Sequence, residues 1–259
     1  MTDKLNIKNK EIAVPGEVLA EGLGYVPSKG IRRVQEKLIA EQLGMINVEG
    51  KVIKLIPLTG VYIPKVNDKI VCKVIDVLMT GWRLDTRSPY SAVLSMKDAT
   101  SEFIQRGADL TQYFALGDYV LTKVVNVTSQ KLVDVSMKGP GLRKLRGGRI
   151  IKVNPHKVPR VIGKEGSMVV MIKQATGCNV LVGQNGLIWI DGEPAAEVVA
   201  EKAIKKINAE AHLSGLTDRI KEFLDKCGLP KQEAAVDEKK STAKAVKKKT
   251  TKGGKNEKN

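Results

Sequence analysis

Val161-Ile162-Gly163-Lys164-Glu165-Gly166-Ser167-Met168 decides how the second half of the chain is read. Two glycines bracket a lysine and a glutamate, and apolar residues stand on both sides. Residues 155–162 read as a short helix. Residues 167–176 read as an apolar helix holding Met168, Val169, Met171, Ile172 and Ala175, with Gly177 placed to end it. Glycines in such a link permit a tight turn and close approach of backbone. Upstream, 149–153 reads as a strand. Downstream, 179–182 and 187–190 read as strands joined by Gly183-Gln184-Asn185-Gly186, whose Asn-Gly step favours a hairpin. Residues 193–212 follow as an amphipathic helix, with Ala196, Val199, Ala203, Ile204 and Ile207 on one side. Residues 217–227 read as a last helix, with Thr217 as N-cap and Gly228 as stop.

A Gly-x-x-Gly tetrapeptide alone is common by chance, and a plain link between two helices would satisfy it. The order strand, helix, Gly-x-x-Gly, helix, strand, strand, helix resembles the type I KH domain, whose loop clamps about four nucleotides of single-stranded backbone. With no Cβ atoms at Gly163 and Gly166, phosphates can reach the amides at the start of the second helix, where the dipole favours anions. Lys164 in the loop and Arg160 one turn earlier add positive charge.

The preceding region holds a near-repeat. The run from Asn67 to Val77 mirrors the run from Gly117 to Val127: each has a turn Asp, then a run rich in β-branched residues with a Lys at the same step. Period-two patterning puts one set of side chains inward. With 82–85, 90–96 and 132–137 these make five short strands, which fits a small closed barrel of the OB type. It resembles the S1 RNA-binding domain through Asp68, Lys73-Val74, Gly81-Trp82-Arg83-Leu84-Asp85, Gly117-Asp118 and 132–138. That family often stacks a base on an exposed aromatic of the second strand. Here the position is Arg83, which can stack on a base or pair with phosphate. Trp82, on the opposite face, is assigned to the core. Lys131 falls where the family often has a basic RNA contact.

Residues 1–63 carry short Val/Ile runs among turn residues, with strands expected at 11–14, 18–20, 50–56 and 61–63. Residues 31–43 suit a helix, with Val34, Leu38 and Ile39 at helical spacing, or strands equally. The fold class expected is mostly β plus α+β: an N-terminal β domain (1–63), an S1-type OB barrel (64–139), a type I KH domain (148–228) and a disordered Lys-rich tail (231–259).

Charge supports a polyanionic partner. The 259 residues carry 44 Lys and Arg against 28 Asp and Glu, a formal net charge of +16. The tail holds ten lysines, four acids and only Val236 and Val246 as large apolar residues. It cannot bury enough surface to offset its ordering entropy. From 135 to 164 stand Lys138, Arg143, Lys144, Arg146, Arg149, Lys152, Lys157, Arg160 and Lys164, with no acid among them. Such a run repels itself unless an anion is near. No apolar run approaches the ~20 residues of a membrane span, and the first twenty residues lack the apolar centre of a secretory signal, so a cytoplasmic protein is expected. Cys72, Cys178 and Cys227 lie far apart, and His156 and His212 are isolated, so zinc sites lack ligands and no metal or cofactor is expected.

Taken together, Val14-Pro15-Gly16-Glu17 and Tyr62-Ile63-Pro64-Lys65, the barrel with 88–92, and the KH part with its 183–190 hairpin resemble the S1/KH cap subunit of the archaeal-type exosome over residues ~10 to ~228. The resemblance implies three such subunits on a hexameric ring of phosphorolytic exoribonuclease subunits, with the N-terminal domain on the ring and the barrels around its pore. It implies a non-catalytic subunit that captures single-stranded RNA 3′ ends and passes them to active sites elsewhere, with RNA contacts at Arg83, Lys131, Arg160, Gly163, Lys164, Glu165 and Gly166. A free-standing S1–KH transcription or translation factor is the alternative. A self-contained hydrolytic nuclease would need clustered carboxylates for metal ions, and here the acids are scattered.

Overall fold

The structure is a computed structural model and describes residues 4–102, 104–105, 107–211 and 215–227. The segment 231–259, expected to be a disordered tail, lies outside the described residues, as do His212 and Gly228.

The first part is built from β1 (Lys4–Leu5), β2 (Ile12–Ala13), β3 (Val18–Glu21), β4 (Val26–Pro27), β5 (Ile31–Val34), β6 (Lys37–Ala40), β7 (Gly44–Glu49) and β8 (Val52–Pro57). They form two four-stranded sheets, ordered β1-β3-β6-β5 and β2-β7-β8-β4. Leu19, Leu38, Ile46 and Ile53 are fully buried between them. The open choice at 31–43 resolves to strands: β5 and β6 pair antiparallel from Ile31 opposite Ala40 to Val34 opposite Lys37, turning at Gln35 with φ 54°. In β6 Leu38 and Ala40 point inward while Lys37 is exposed, so period two prevails over helical spacing. β7 was not expected; its buried Ile46 alternates with less buried neighbours. The strand expected at 61–63 does not form. Tyr62 instead plugs the next core and donates its hydroxyl to Asp68 Oδ2 at 2.6 Å.

The barrel consists of β9 (Lys69–Leu78), β10 (Gly81–Asp85), β11 (Ser91–Ser95), β12 (Tyr119–Val127) and β13 (Val133–Ser136), with the short helix α1 (Met96–Ala99) after β11. The order β13-β11-β10-β9-β12 is closed by pairing of β12 with β13. The two Asp-led runs are direct neighbours, from Lys69 opposite Lys123 to Lys73 opposite Tyr119. Trp82 is fully buried, as expected; its Nε1 donates to Phe114 O at 3.0 Å and its ring meets Phe114 edge-on at 5.0 Å.

A short strand, β14 (Lys144–Leu145), adds to β12 and leads into β15 (Arg149–Lys152), α2 (Val158–Ile162), α3 (Ser167–Thr176), β16 (Asn179–Val182), β17 (Leu187–Asp191), α4 (Pro194–Glu210) and α5 (Leu216–Lys226). The sheet order is β15-β17-β16. Ile151, Val180, Ile188 and Ile190 face the helices, packing on Ile172, Ala203 and Ile204. Leu187 and Trp189 face the other way, onto Val71, Leu121 and Leu145 of the barrel side. Burial on both faces explains why Leu187-Ile188-Trp189-Ile190 is apolar throughout rather than alternating. α3 ends at Gly177 with φ 69°, as its sequence requires. α5 departs from expectation: its cap is Gly215 with φ 68°, and Thr217 sits inside the first turn.

Candidate nucleic-acid interface

Between α2 and α3 the chain turns through a short 3-10 segment, Lys164–Gly166. Gly163 has φ 76° and ψ 176°, Glu165 φ 53° and ψ 25°, Gly166 φ 83° and ψ 7°. A Cβ on Gly163 would lie 2.8 Å from both the Cβ and the N of Met168, so this glycine is required by contact as well as by φ. A Cβ on Gly166 would meet nothing within 4 Å, so there only backbone conformation matters. Gly163→Ala is therefore expected to cost roughly 2–3 kcal/mol, and Gly166→Ala only about 1 kcal/mol. Thermal melts of the two variants check this; equal losses would contradict it.

The loop presents the exposed side chains of Lys164 and Glu165, and Arg160 is exposed one turn earlier. No side chain caps the start of α3, which leaves the helix's first amides without a side-chain acceptor. Arg160, Gly163 and Lys164 line one open depression of about 380 Å³, which residues at the start of α5 also line.

Arg83 and Lys131 are carried by the barrel. Arg83 is exposed on β10, opposite Val93 of β11, which lies opposite Asp134 of β13; on its other side Arg83 faces Asp76 of β9. The Asp76 carboxylate directly across from Arg83 becomes visible only once strand register is known. Lys131 is exposed on the β12–β13 turn with φ 64°, its N–H donating to Thr128 O.

The basic run at 135–164 is partly neutralised by acids distant in sequence, which corrects the expectation of an uncompensated belt. Lys144 pairs with Asp118, and Arg149 reaches Glu197 at 3.1 Å and Glu201 at 3.5 Å. Burial pulls the Asp118 carboxyl upward, but the bonds from Lys144 and the Ala115 amide outweigh it and hold its pKa low. The Arg143 guanidinium lies 5.6 Å from the Trp189 ring centre, and Lys157 donates to Asn208 O. Lys138, Lys152, Arg160 and Lys164 remain exposed, with no ion pair among the described residues.

Two residues that the sequence did not single out for this purpose join barrel and KH part. Asn185, fully buried, donates from Nδ2 to Val71 O at 2.7 Å and to Thr86 O at 2.8 Å. Arg87, in the β10–β11 turn, donates to Val153 O at 2.9 Å and Gly186 O at 2.8 Å. The Gly183-Gln184-Asn185-Gly186 turn is thus a plug in the barrel wall rather than an exposed hairpin tip. A lighter contact ties the first part to the KH part: Asn154 Nδ2 donates to Leu58 O at 3.3 Å. Nearby, burial and then Lys65 lower the pKa of His156.

Comparison with known proteins agrees with this architecture. The KH domain family matches residues 148–196. The exosome complex component Rrp4 of Methanothermus fervidus is 43% identical over 221 residues, covering 85% of this chain and 97% of the relative. That of Pyrococcus furiosus is 41% identical over 225 residues, covering 85% of each chain. Among solved structures, a candidate exosome complex RNA-binding protein superposes with a TM-score of 0.59 at 34% identity, covering 65% of this chain and 97% of its own. At that identity and coverage, the chain belongs to the Rrp4 family of exosome complex components.

Proposed function

We propose that this chain is a non-catalytic RNA-binding cap subunit, which captures single-stranded RNA 3′ ends and guides them into a phosphorolytic 3′→5′ exoribonuclease ring. The observation that carries the reading is the 163–166 loop. A glycine in contact with Met168 brings backbone close to the uncapped start of α3, with Lys164 and Arg160 exposed beside it. That is a place for phosphate oxygens without any base-specific element. Gly163, Lys164, Glu165 and Gly166 shape the clamp, and Arg160 adds charge. Arg83 and Lys131 supply a second contact area on the barrel. Because Asn185 and Arg87 fix barrel and KH part together, both areas keep a constant separation, and a strand bound by one is presented to the other.

Ring docking falls to the first part, where Ile12, Val14, Leu23 and Ile56 are exposed apolar residues. Three copies would then surround the pore of a hexameric ring in the cytoplasm. Size-exclusion chromatography of the chain with the ring subunits tests this: co-elution is expected, and independent migration would favour a free-standing S1–KH factor.

RNA affinity is expected to fall steeply with salt. If Arg83, Lys131, Arg160 and Lys164 each neutralise one phosphate, log K against log salt has a slope near −3, from ~0.7 per phosphate on a single strand. Fluorescence anisotropy over a range of salt concentrations measures it. A slope near zero would mean that stacking dominates.

A further inference from the structure

We propose that the depression between the Gly-x-x-Gly loop and α5 is a nucleotide site that reads the ribose 2′-hydroxyl, so that the subunit prefers RNA to DNA of the same sequence. This rests on the RNA-binding reading above and adds a wall outside the matched KH domain: the match ends at residue 196, and α5 begins at Leu216.

The lining of the depression combines two chemistries. Arg160 of α2 and Lys164 of the loop line it together with Thr217 and Asp218 of the first turn of α5, and Met168 and Leu216 add apolar lining. Among the described residues no ion pair joins either cation to Asp218. A cation and a carboxylate that share a cavity without pairing leave room for a ligand able to satisfy both. Phosphate is an acceptor only, so it suits Arg160 and Lys164 and is repelled by Asp218. A ribose 2′-hydroxyl is a donor, which the Asp218 carboxylate accepts, while the Thr217 hydroxyl can accept or donate. One ribonucleotide carries both groups at fixed separation. Free phosphate is repelled by Asp218, and a deoxynucleotide has no 2′ donor to offer that carboxylate. The 2′-hydroxyl is the group by which proteins generally tell RNA from DNA.

The test uses the full chain and short single-stranded oligonucleotides of one sequence as RNA, DNA and 2′-O-methyl RNA, with affinities from fluorescence anisotropy. The unmodified protein is expected to bind RNA roughly tenfold tighter than DNA, the value of one hydrogen bond to a charged acceptor. The double variant T217V/D218A should narrow that ratio to about twofold by losing RNA affinity, with DNA binding unchanged or tighter. Circular dichroism and melting report whether the variant is folded. Should it unfold, 2′-O-methyl RNA on the unmodified protein gives the same reading, because it removes the donor without touching the protein; it is expected to bind like DNA. Equal binding of RNA and DNA by the unmodified protein overturns the ribose site and leaves RNA binding standing. So does a preference for RNA that survives both the variant and the methylated strand. Failure to bind any strand overturns the RNA-binding reading itself.

Discussion

Replacing Lys164 and Glu165 together by Asp is expected to weaken RNA binding by more than about tenfold while leaving the fold and assembly on the proposed ring intact. The change removes a cation from the loop and sets a second anion beside the start of α3, where no side chain now caps the helix. A carboxylate there competes with phosphate for the free amides and repels it as well. Loss of one charge-assisted contact already accounts for about tenfold. The backbone should tolerate the substitution: position 165 has φ 53°, and Asp occupies the left-handed region more readily than most residues. Anisotropy at fixed salt, a thermal melt and co-elution with the ring subunits separate the effects. Unchanged affinity in a folded variant would take the loop out of the RNA path.

Asn185→Leu is expected to be the most damaging single substitution at the junction of barrel and KH part. It leaves the Val71 and Thr86 carbonyls buried with no Asn185 donor, at about 1–3 kcal/mol each. A total near 3–5 kcal/mol is a large share of a typical domain's stability. Because the residue lies between two cores, the loss should appear as uncoupling: one calorimetric transition becomes two. A single transition displaced by less than about 2 °C would contradict the role given to this side chain.

The elements that carry the proposed RNA contacts were legible because local rules dominate there. Glycines at 163, 166 and 177 fall where positive φ is needed, and the apolar spacing of 167–176 matches a helix. The five barrel strands showed through period-two alternation and turn residues. What remained illegible depends on pairing across long sequence distances. Residues 31–43 carry both periodicities, and only the buried partners of Leu38 settle them as strands. Lys144 and Arg149 read as free cations until Asp118, Glu197 and Glu201 are brought beside them. The Asn-Gly turn was readable as a hairpin, but not as a plug, since its partners lie 99 and 114 residues away. Thr217 has the chemistry of a cap, yet Gly215 reaches the left-handed backbone that starts α5 and takes the position. The acid beside Arg83, Asp76, follows from register, which no single strand reveals.

Crosslinking photoreactive single-stranded RNA to the chain assembled on the proposed ring, with the attachment sites mapped by mass spectrometry, tests the central claim most directly. Adducts are expected on 160–167 and on the barrel around Arg83 and Lys131. Adducts confined to 231–259, with both the KH loop and the barrel unmarked, would contradict it.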